Sequence, residues 1–185
     1  MSFQIKLIIF AVASLGIIWV SRKPLRDFRS HGFYRFFAWE AILALVLLNL
    51  DYWFVQPFQW HQLISWVFLI VSLYMVIQGM ILLRKIGKPD QNREDPALIG
   101  LEKTTELVTI GVYQYIRHPL YSSLFFLAWG VFFKQLSWLG LILGMSATIF
   151  LTLTAKIEET ENIQFFGETY QAYLKKTKMF VPLIF

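Results

Sequence analysis

Five apolar segments run through this chain of 185 residues, and they limit what it can fold into. They cover 3–20, 36–55, 63–83, 120–133 and 138–155. The hydrocarbon core of a bilayer is about 30 Å thick, so a spanning helix needs about 20 largely apolar residues. With 57% hydrophobic and 18% aromatic residues in all, an ordinary soluble domain is excluded. The pattern predicts an all-α membrane protein with about five transmembrane helices, of which the last two form a helical hairpin.

The charges between the apolar segments predict an orientation. Residues 21–35 carry five Arg or Lys side chains against one Asp, whereas 56–62 carry no Lys or Arg. Cytoplasmic loops of membrane proteins are enriched in Lys and Arg, so 21–35 is predicted to be cytoplasmic. The protein is then a multi-pass integral membrane protein with its N-terminus outside and its C-terminus in the cytoplasm. The net charge of +5 is a topological signal, and no nucleic-acid partner is expected.

The first apolar segment has an alternative interpretation as a cleaved signal peptide. No small-x-small cleavage site precedes Arg22 and Lys23, and this pair is typical of a stop-transfer flank. We therefore expect the segment to remain as a membrane anchor. Glu40, within the second segment, is a candidate either for lining a site or for pairing with Arg35 or another basic residue.

The chain is predicted to divide into an N-terminal three-helix membrane region, 1–83, and a core with the candidate site, 84–185. The polar connection 87–106 is long for a compact chain, so it is either a cytoplasmic cover over the site or a solvated linker. The fourth apolar segment has only 14 residues, or about 21 Å of helix. It must extend backwards, thin the bilayer or stop short of the outer surface.

Two polar stretches are predicted to meet at the cytoplasmic membrane face. Arg117 and His118 precede Pro119, which suits the first position of a helix, and a helix start presents unpaired N–H groups to polar ligands. Glu158 and Glu159 follow the fifth apolar segment. Because the hairpin returns the chain to the same face, the four charged or polar side chains should lie side by side despite about forty residues of separation.

These stretches resemble the isoprenylcysteine carboxyl methyltransferase and phospholipid N-methyltransferase family of integral membrane enzymes. The matching residues are Leu107-Val108-Thr109-x-Gly111-x-Tyr113, Arg117-His118-Pro119-x-Tyr121, Glu158-Glu159, Phe166-Gly167-x-x-Tyr170-x-x-Tyr173 and Pro182. The resemblance covers about 107–185 and implies S-adenosylmethionine as methyl donor. The implied cofactor-binding residues are Thr105, Glu106, Leu107, Val108, Tyr113, His118, Pro119, Leu120, Tyr121 and Glu158, and the implied catalytic residues are Arg117 and Glu159.

One departure bears on the methyl acceptor. Enzymes of this family that act on prenylated cysteine place an arginine four residues before the first glutamate, where this chain has Thr154. An uncharged hydroxyl cannot hold a carboxylate as a guanidinium does. We therefore expect a lipophilic small molecule embedded in the membrane as acceptor, with membrane lipids as further partners.

Other chemistry is limited by composition. The chain has no cysteine, which removes thiolate metal sites and cysteine nucleophiles, and no metal is expected. Two alternatives stay open: an NADPH-dependent membrane reductase, because sterol reductases share a related Arg-His-Pro-x-Tyr motif, and a non-catalytic membrane partner protein.

After the hairpin, 163–176 carries Phe166, Tyr170 and Tyr173 at helical spacing, which predicts an amphipathic interfacial helix. The apolar residues 179–185 should fold back against the membrane or the site.

Overall fold

The computed structural model describes residues 1–88, 90 and 103–182, and the regular structure of these residues is helical. Its six α-helices are α1 (Phe3–Ser21), α2 (His31–Asn49), α3 (Trp60–Lys85), α4 (Pro119–Phe132), α5 (Trp138–Phe166) and α6 (Glu168–Leu174). Helices α1, α2, α3 and α5 are long and apolar enough to cross a membrane, and α4 is a shorter apolar helix. The predicted all-α, multi-pass membrane architecture is confirmed.

The core of the bundle lies where α2 and α5 pack together and α4 joins them. Ala41 and Leu45 of α2 contact Ala128 and Val131 of α4 and Ala147 of α5, and all five are buried. The small alanine side chains allow the helix backbones to approach closely, as is usual for helices that associate in membranes. Residues on both sides of the predicted boundary at 83/84 therefore share one core, and the division itself stays a prediction.

Helix α1 lies at the edge of the bundle, against α2. Most of its large apolar side chains are exposed, which suits contact with lipid. Ser14 of α1 donates a hydrogen bond to Glu40 of α2 over 2.7 Å, and Lys6 pairs with Asp51 over 2.8 Å. Glu40 is thus held by a hydroxyl rather than by a basic side chain.

Alternating helix directions place the start of α2, the end of α3, the start of α4 and the end of α5 at one end of the bundle. At this end His31 contacts Glu161 and Tyr121 contacts Glu158. At the opposite end, the Asn49 amide donates to the Val131 carbonyl over 2.8 Å. The end that gathers the charged residues is called the polar end below.

Several bounds differ from those predicted. Helix α2 lies at His31–Asn49, earlier in the chain than the predicted segment 36–55. Helix α5 continues eleven residues beyond the predicted membrane segment, to Phe166, and the predicted helix 163–176 is divided by Gly167. The φ of Gly167 is +62° and its ψ is −137°, a conformation open to glycine and unfavourable for residues with a Cβ. The chain turns there, so α6 folds back towards the site instead of continuing along α5.

Helix α4 does not extend backwards to lengthen its crossing. It begins at Pro119, as predicted, and the preceding residues form a 3-10 turn at Gly111–Gln114 and an extended segment. Its 14 residues rise about 21 Å, less than the thickness of the hydrocarbon core. Most of the predicted cover, 87–106, lies outside the described residues.

Candidate functional site

The extended segment before α4 is fixed by the C-terminal segment of the chain. The Arg117 N–H donates to the Lys178 carbonyl over 2.8 Å, and the Lys178 N–H donates to the Tyr115 carbonyl over 3.0 Å. The Ser122 hydroxyl donates to the Phe180 carbonyl over 2.7 Å. The prediction that the last apolar residues fold back against the site is confirmed for those that the structure describes.

His118 lies directly before α4, where the free N–H groups of the first helical turn are concentrated. Its side chain is buried, with Nε2 3.3 Å from Glu159 Oε1 and Nδ1 3.8 Å from Glu158 Oε1. Its ring also stacks on Tyr121, with the ring centroids 5.5 Å apart. The imidazole therefore lies between both glutamates, as the hairpin geometry predicted.

The two neighbouring glutamates have different partners, because successive residues on a helix point about 100° apart. Glu158 accepts a hydrogen bond from the Tyr121 hydroxyl. Glu159 accepts one from Arg117 Nε over 2.6 Å, and Arg117 Nη1 donates to the Thr177 carbonyl. Arg117 therefore forms its ion pair with Glu159.

Helix α6 supplies an aromatic wall to the same region. The Tyr173 hydroxyl donates to the Tyr113 carbonyl over 2.6 Å, and Tyr170 stacks on Phe166 at 6.3 Å between ring centroids. Burial, together with the nearby carboxylates of Glu158 and Glu159, raises the pKa of Tyr170, and burial raises the pKa of Tyr173. Both hydroxyls stay neutral at physiological pH. The two tyrosines are buried in the protein, and the interfacial position of the helix stays a prediction.

These elements form a pocket that opens to solvent on one side. The pocket is lined by Leu83, Thr104, Leu107, Val108, Tyr113, Arg117, His118, Pro119, Leu120, Tyr121, Glu158, Asn162, Phe166, Tyr170 and Tyr173. Nine of the twelve predicted site residues are in this lining.

The other three predicted residues lie outside the lining. Thr105 and Glu106 are exposed, where the Thr105 hydroxyl donates to the Lys88 carbonyl and Glu106 pairs with the Lys88 ammonium. Glu159 is outside the lining and forms an ion pair with Arg117, which is in the lining. The sequence prediction missed Asn162, one turn after Glu158 on α5, and Thr104, although the spacing of Asn162 from Glu158 could have indicated it.

Thr154 is fully buried, and its hydroxyl donates to the Phe150 carbonyl one turn earlier over 2.7 Å. It is absent from the pocket lining.

The fold and the pocket define a multi-pass α-helical membrane protein with a polar, aromatic-walled pocket at one end of its bundle. The phospholipid methyltransferase family model matches residues 60–169, and the chain belongs to this family. The family predicted from the motifs is thereby confirmed.

Individual relatives are distant. A methanethiol S-methyltransferase from Crocosphaera subtropica is 25% identical over 65% of this chain and 44% of its own length. Two protein-S-isoprenylcysteine O-methyltransferases are similar: that of Dictyostelium discoideum is 26% identical over 89% of this chain and 70% of its own, and that of Xenopus laevis is 33% identical over 65% and 42%. The chain thus spans less than half of the Crocosphaera and Xenopus proteins. No solved structure matches.

Proposed function

We propose that this protein transfers a methyl group from S-adenosylmethionine to a lipophilic acceptor in the membrane. The observation that supports this most is the group of His118, Tyr121 and Glu158 at the wall of the pocket, where α4 starts and α5 ends. Membership of the phospholipid methyltransferase family supports the reaction class. The names of the relatives, which include thiol and isoprenylcysteine methyltransferases, support a small or lipophilic acceptor.

The chemistry of the lining fits the proposed methyl donor, which combines an ammonium, a carboxylate, ribose hydroxyls and an adenine ring. Glu158 offers a carboxylate to the ammonium or to hydroxyls, and Arg117 offers a guanidinium to the carboxylate. Tyr113, Phe166 and Tyr170 offer faces against which a purine can stack. His118 can hydrogen-bond a polar atom at the start of α4. When bound, S-adenosylmethionine supplies a methyl group on a positively charged sulfur.

The protein's own part in the reaction is alignment and exclusion of water. The buried His118 ring and the Arg117–Glu159 ion pair hold one wall of the pocket in place. The proposed catalytic roles are contact with the polar end of the donor by Arg117 and orientation of Arg117 by Glu159. The acceptor is proposed to be a small molecule rather than a prenylated protein C-terminus; Thr154, buried outside the pocket lining, supplies no charge that could hold a substrate carboxylate.

Calorimetric titration of the detergent-purified protein with S-adenosylmethionine, S-adenosylhomocysteine and NADPH tests this proposal. Binding of the two adenosyl ligands without NADPH is expected. Binding of NADPH alone would indicate a reductase, and binding of none of the three would indicate a non-catalytic partner protein. Either result would overturn the proposed function.

A further inference from the structure

A second pair of titratable groups lies at the polar end, outside the pocket lining. His31 is the first residue of α2 and is fully buried, and its Nδ1 lies 2.5 Å from Glu161 Oε2 on α5. The other carboxylate oxygen of Glu161 accepts the backbone N–H of His31 over 3.5 Å. Glu161 thus fixes the imidazole and also caps the start of α2.

The second ring nitrogen of His31 is unusual among the histidines of this chain. The chain has three histidines. His61 bonds through both ring nitrogens, to the Phe133 carbonyl and to Gln59, and both nitrogens of His118 face glutamates. Nε2 of His31 is buried and has no hydrogen-bond partner among the residues that the structure describes. A buried polar atom left without a partner costs about 1 to 3 kcal/mol, so a ligand atom is the expected partner.

The surroundings of His31 connect it to the pocket. Glu158, which lines the pocket, lies three residues before Glu161 on α5 and interacts electrostatically with the His31 ring. Arg35, one turn further along α2, is the other charged group that acts on His31. Glu158 therefore interacts with two groups. One is His118 and Tyr121 at the pocket, and the other is His31, which is paired with Glu161.

The hydrogen bond to Glu161 determines what Nε2 can do. A carboxylate only accepts, so the proton of the neutral ring is on Nδ1, and Nε2 presents a lone pair. A lone pair can accept a hydrogen bond from an S–H, N–H or O–H group, but not from a carboxylate. The arrangement is that of a histidine base oriented by an acidic side chain.

We propose that His31 is the base of the methyl-acceptor site, and that the acceptor is a lipophilic molecule with a hydrogen-bearing nucleophile, of which a thiol is the simplest case. This inference rests on the proposed function. In the reaction the S–H bond of the acceptor breaks and its proton forms the Nε2–H bond. The electron pair of the sulfur forms the new bond to the methyl carbon as the carbon–sulfonium bond breaks. The positive charge lost from the sulfonium reappears on the imidazolium, where Glu161 and Glu158 stabilise it against the opposing charge of Arg35.

His31→Asn tests this role with 1-dodecanethiol as acceptor and dodecanoate as a matched carboxylate. Asparagine can keep a hydrogen bond to Glu161 but has no basic nitrogen. At neutral pH it should lower kcat for the thiol by about 100-fold or more with little change in KM. The deficit should shrink as the pH rises, because the thiol then ionises without a base. Glu161→Gln, which keeps a hydrogen bond without the charge, should cost about tenfold.

Affinity for S-adenosylhomocysteine separates this inference from the proposed function. It should be unchanged in His31→Asn, Glu161→Gln and the control His61→Gln. Absence of binding to the unmodified protein would sink the proposed function. Three results, each with normal binding, would overturn the role of His31 alone. His31→Asn could methylate the thiol as fast as the unmodified protein, or its loss of rate could be the same at every pH. The unmodified protein could also methylate dodecanoate and not the thiol.

Nitrogen NMR of histidine-labelled unmodified protein supplies a test that needs neither activity nor the methyl donor. The His31 signal is the one that is lost in His31→Asn, shifts in Glu161→Gln and is retained in His61→Gln and His118→Ala. When neutral, this ring should carry its proton on Nδ1. Its Nε2 signal should shift on addition of 1-dodecanethiol. A neutral ring with the proton on Nε2, or no shift at saturating thiol, would contradict the proposal even if every variant failed to fold.

Discussion

At the scale of single residues, Glu158 and His118 are the side chains whose loss should weaken cofactor binding most directly. Glu158→Gln keeps an acceptor for the Tyr121 hydroxyl but removes the charge, and His118→Ala removes the imidazole between the glutamates. A lost hydrogen bond to a charged group costs about 1.5 to 3 kcal/mol, so each variant should bind S-adenosylmethionine about 10-fold to more than 100-fold less tightly. Calorimetry measures this.

Thr160→Ala is the matched control for Glu158→Gln, because Thr160 lies on the same helix, is exposed and bonds only to its own helix at the Lys156 carbonyl among the described residues. Its affinity for S-adenosylmethionine should be that of the unmodified protein. Unchanged affinity in both Glu158→Gln and His118→Ala would remove the cofactor assignment from this pocket.

Thr154 gives a second prediction at this scale. Because it is fully buried and away from the pocket, Thr154→Arg would place an unpaired charge inside the bundle, at a cost of several kcal/mol. We expect little folded protein, as measured by yield of monodisperse material and thermal unfolding. Thr154→Val keeps the shape and should change stability by less than about 1.5 kcal/mol. A stable Thr154→Arg variant would show that the position can reach a cavity.

The sequence identified those site residues whose position depends only on neighbouring residues in the chain. Proline is favoured at the first position of a helix and an apolar run follows Pro119, so the place of His118 before a helix start could be predicted. The partner of Arg117 could not, because Glu158 and Glu159 are equivalent in sequence and only the rotation of α5 directs one to the pocket and the other to Arg117.

At the scale of helices, the apolar segments predicted the number and order of α1 to α5, but not the bounds of α2 or the end of α5. An apolar run indicates which part of a helix lies in the bilayer, whereas the length of the helix depends on the helix propensity of the residues that follow. The residues after Ala155 include good helix formers, so α5 continues beyond the apolar run. The pattern of Phe166, Tyr170 and Tyr173 predicted one amphipathic helix, whereas Gly167 separates Phe166 on α5 from Tyr170 and Tyr173 on α6. The apolar face of α6 meets the protein because the chain turns at Gly167.

Gly167→Ala tests the importance of that turn. No atom lies within 4 Å of an added Cβ, so any cost comes from the backbone conformation, at about 1 to 3 kcal/mol. Thermal stability should fall, and affinity for S-adenosylhomocysteine should fall with it, since α6 carries Tyr170 and Tyr173. Gly144→Ala on α5 also has open space around the Cβ and is helical, so it should be neutral or raise stability by up to about 1 kcal/mol. Equal behaviour of the two variants would show that the conformation of Gly167 is unimportant.

At the scale of the whole molecule, the two ends of the bundle differ in chemistry. The polar end carries exposed basic side chains at Arg22, Lys23, Arg84 and Lys85, beside the opening elements of the site. The other end carries exposed aromatic side chains, among them Trp60 at 62% exposure and Trp138 at 83%. Basic residues favour the cytoplasmic side and tryptophans favour the headgroup level, so the site should face the cytoplasm, from which the proposed polar methyl donor would enter.

This orientation leads to the last prediction: the N-terminus is outside, Gln59 is outside, and both the segment 22–30 and the C-terminus are cytoplasmic. Five crossings are required, so α4 must traverse the bilayer despite its 14 residues, by local thinning or by ending at the level of the Lys134 side chain. Lys134 is buried, with its Nζ 3.5 Å from the centroid of the Trp66 ring and 3.1 Å from the side-chain oxygen of Gln62. At this depth the side chain is held by an aromatic ring and an amide rather than by solvent. Reporter fusions after Arg26, Gln59 and Phe185 measure the topology, and the first and third should report cytoplasm. A cytoplasmic signal at Gln59 would invert the arrangement, and an outside signal at Phe185 alone would mean that α4 and α5 together cross only once.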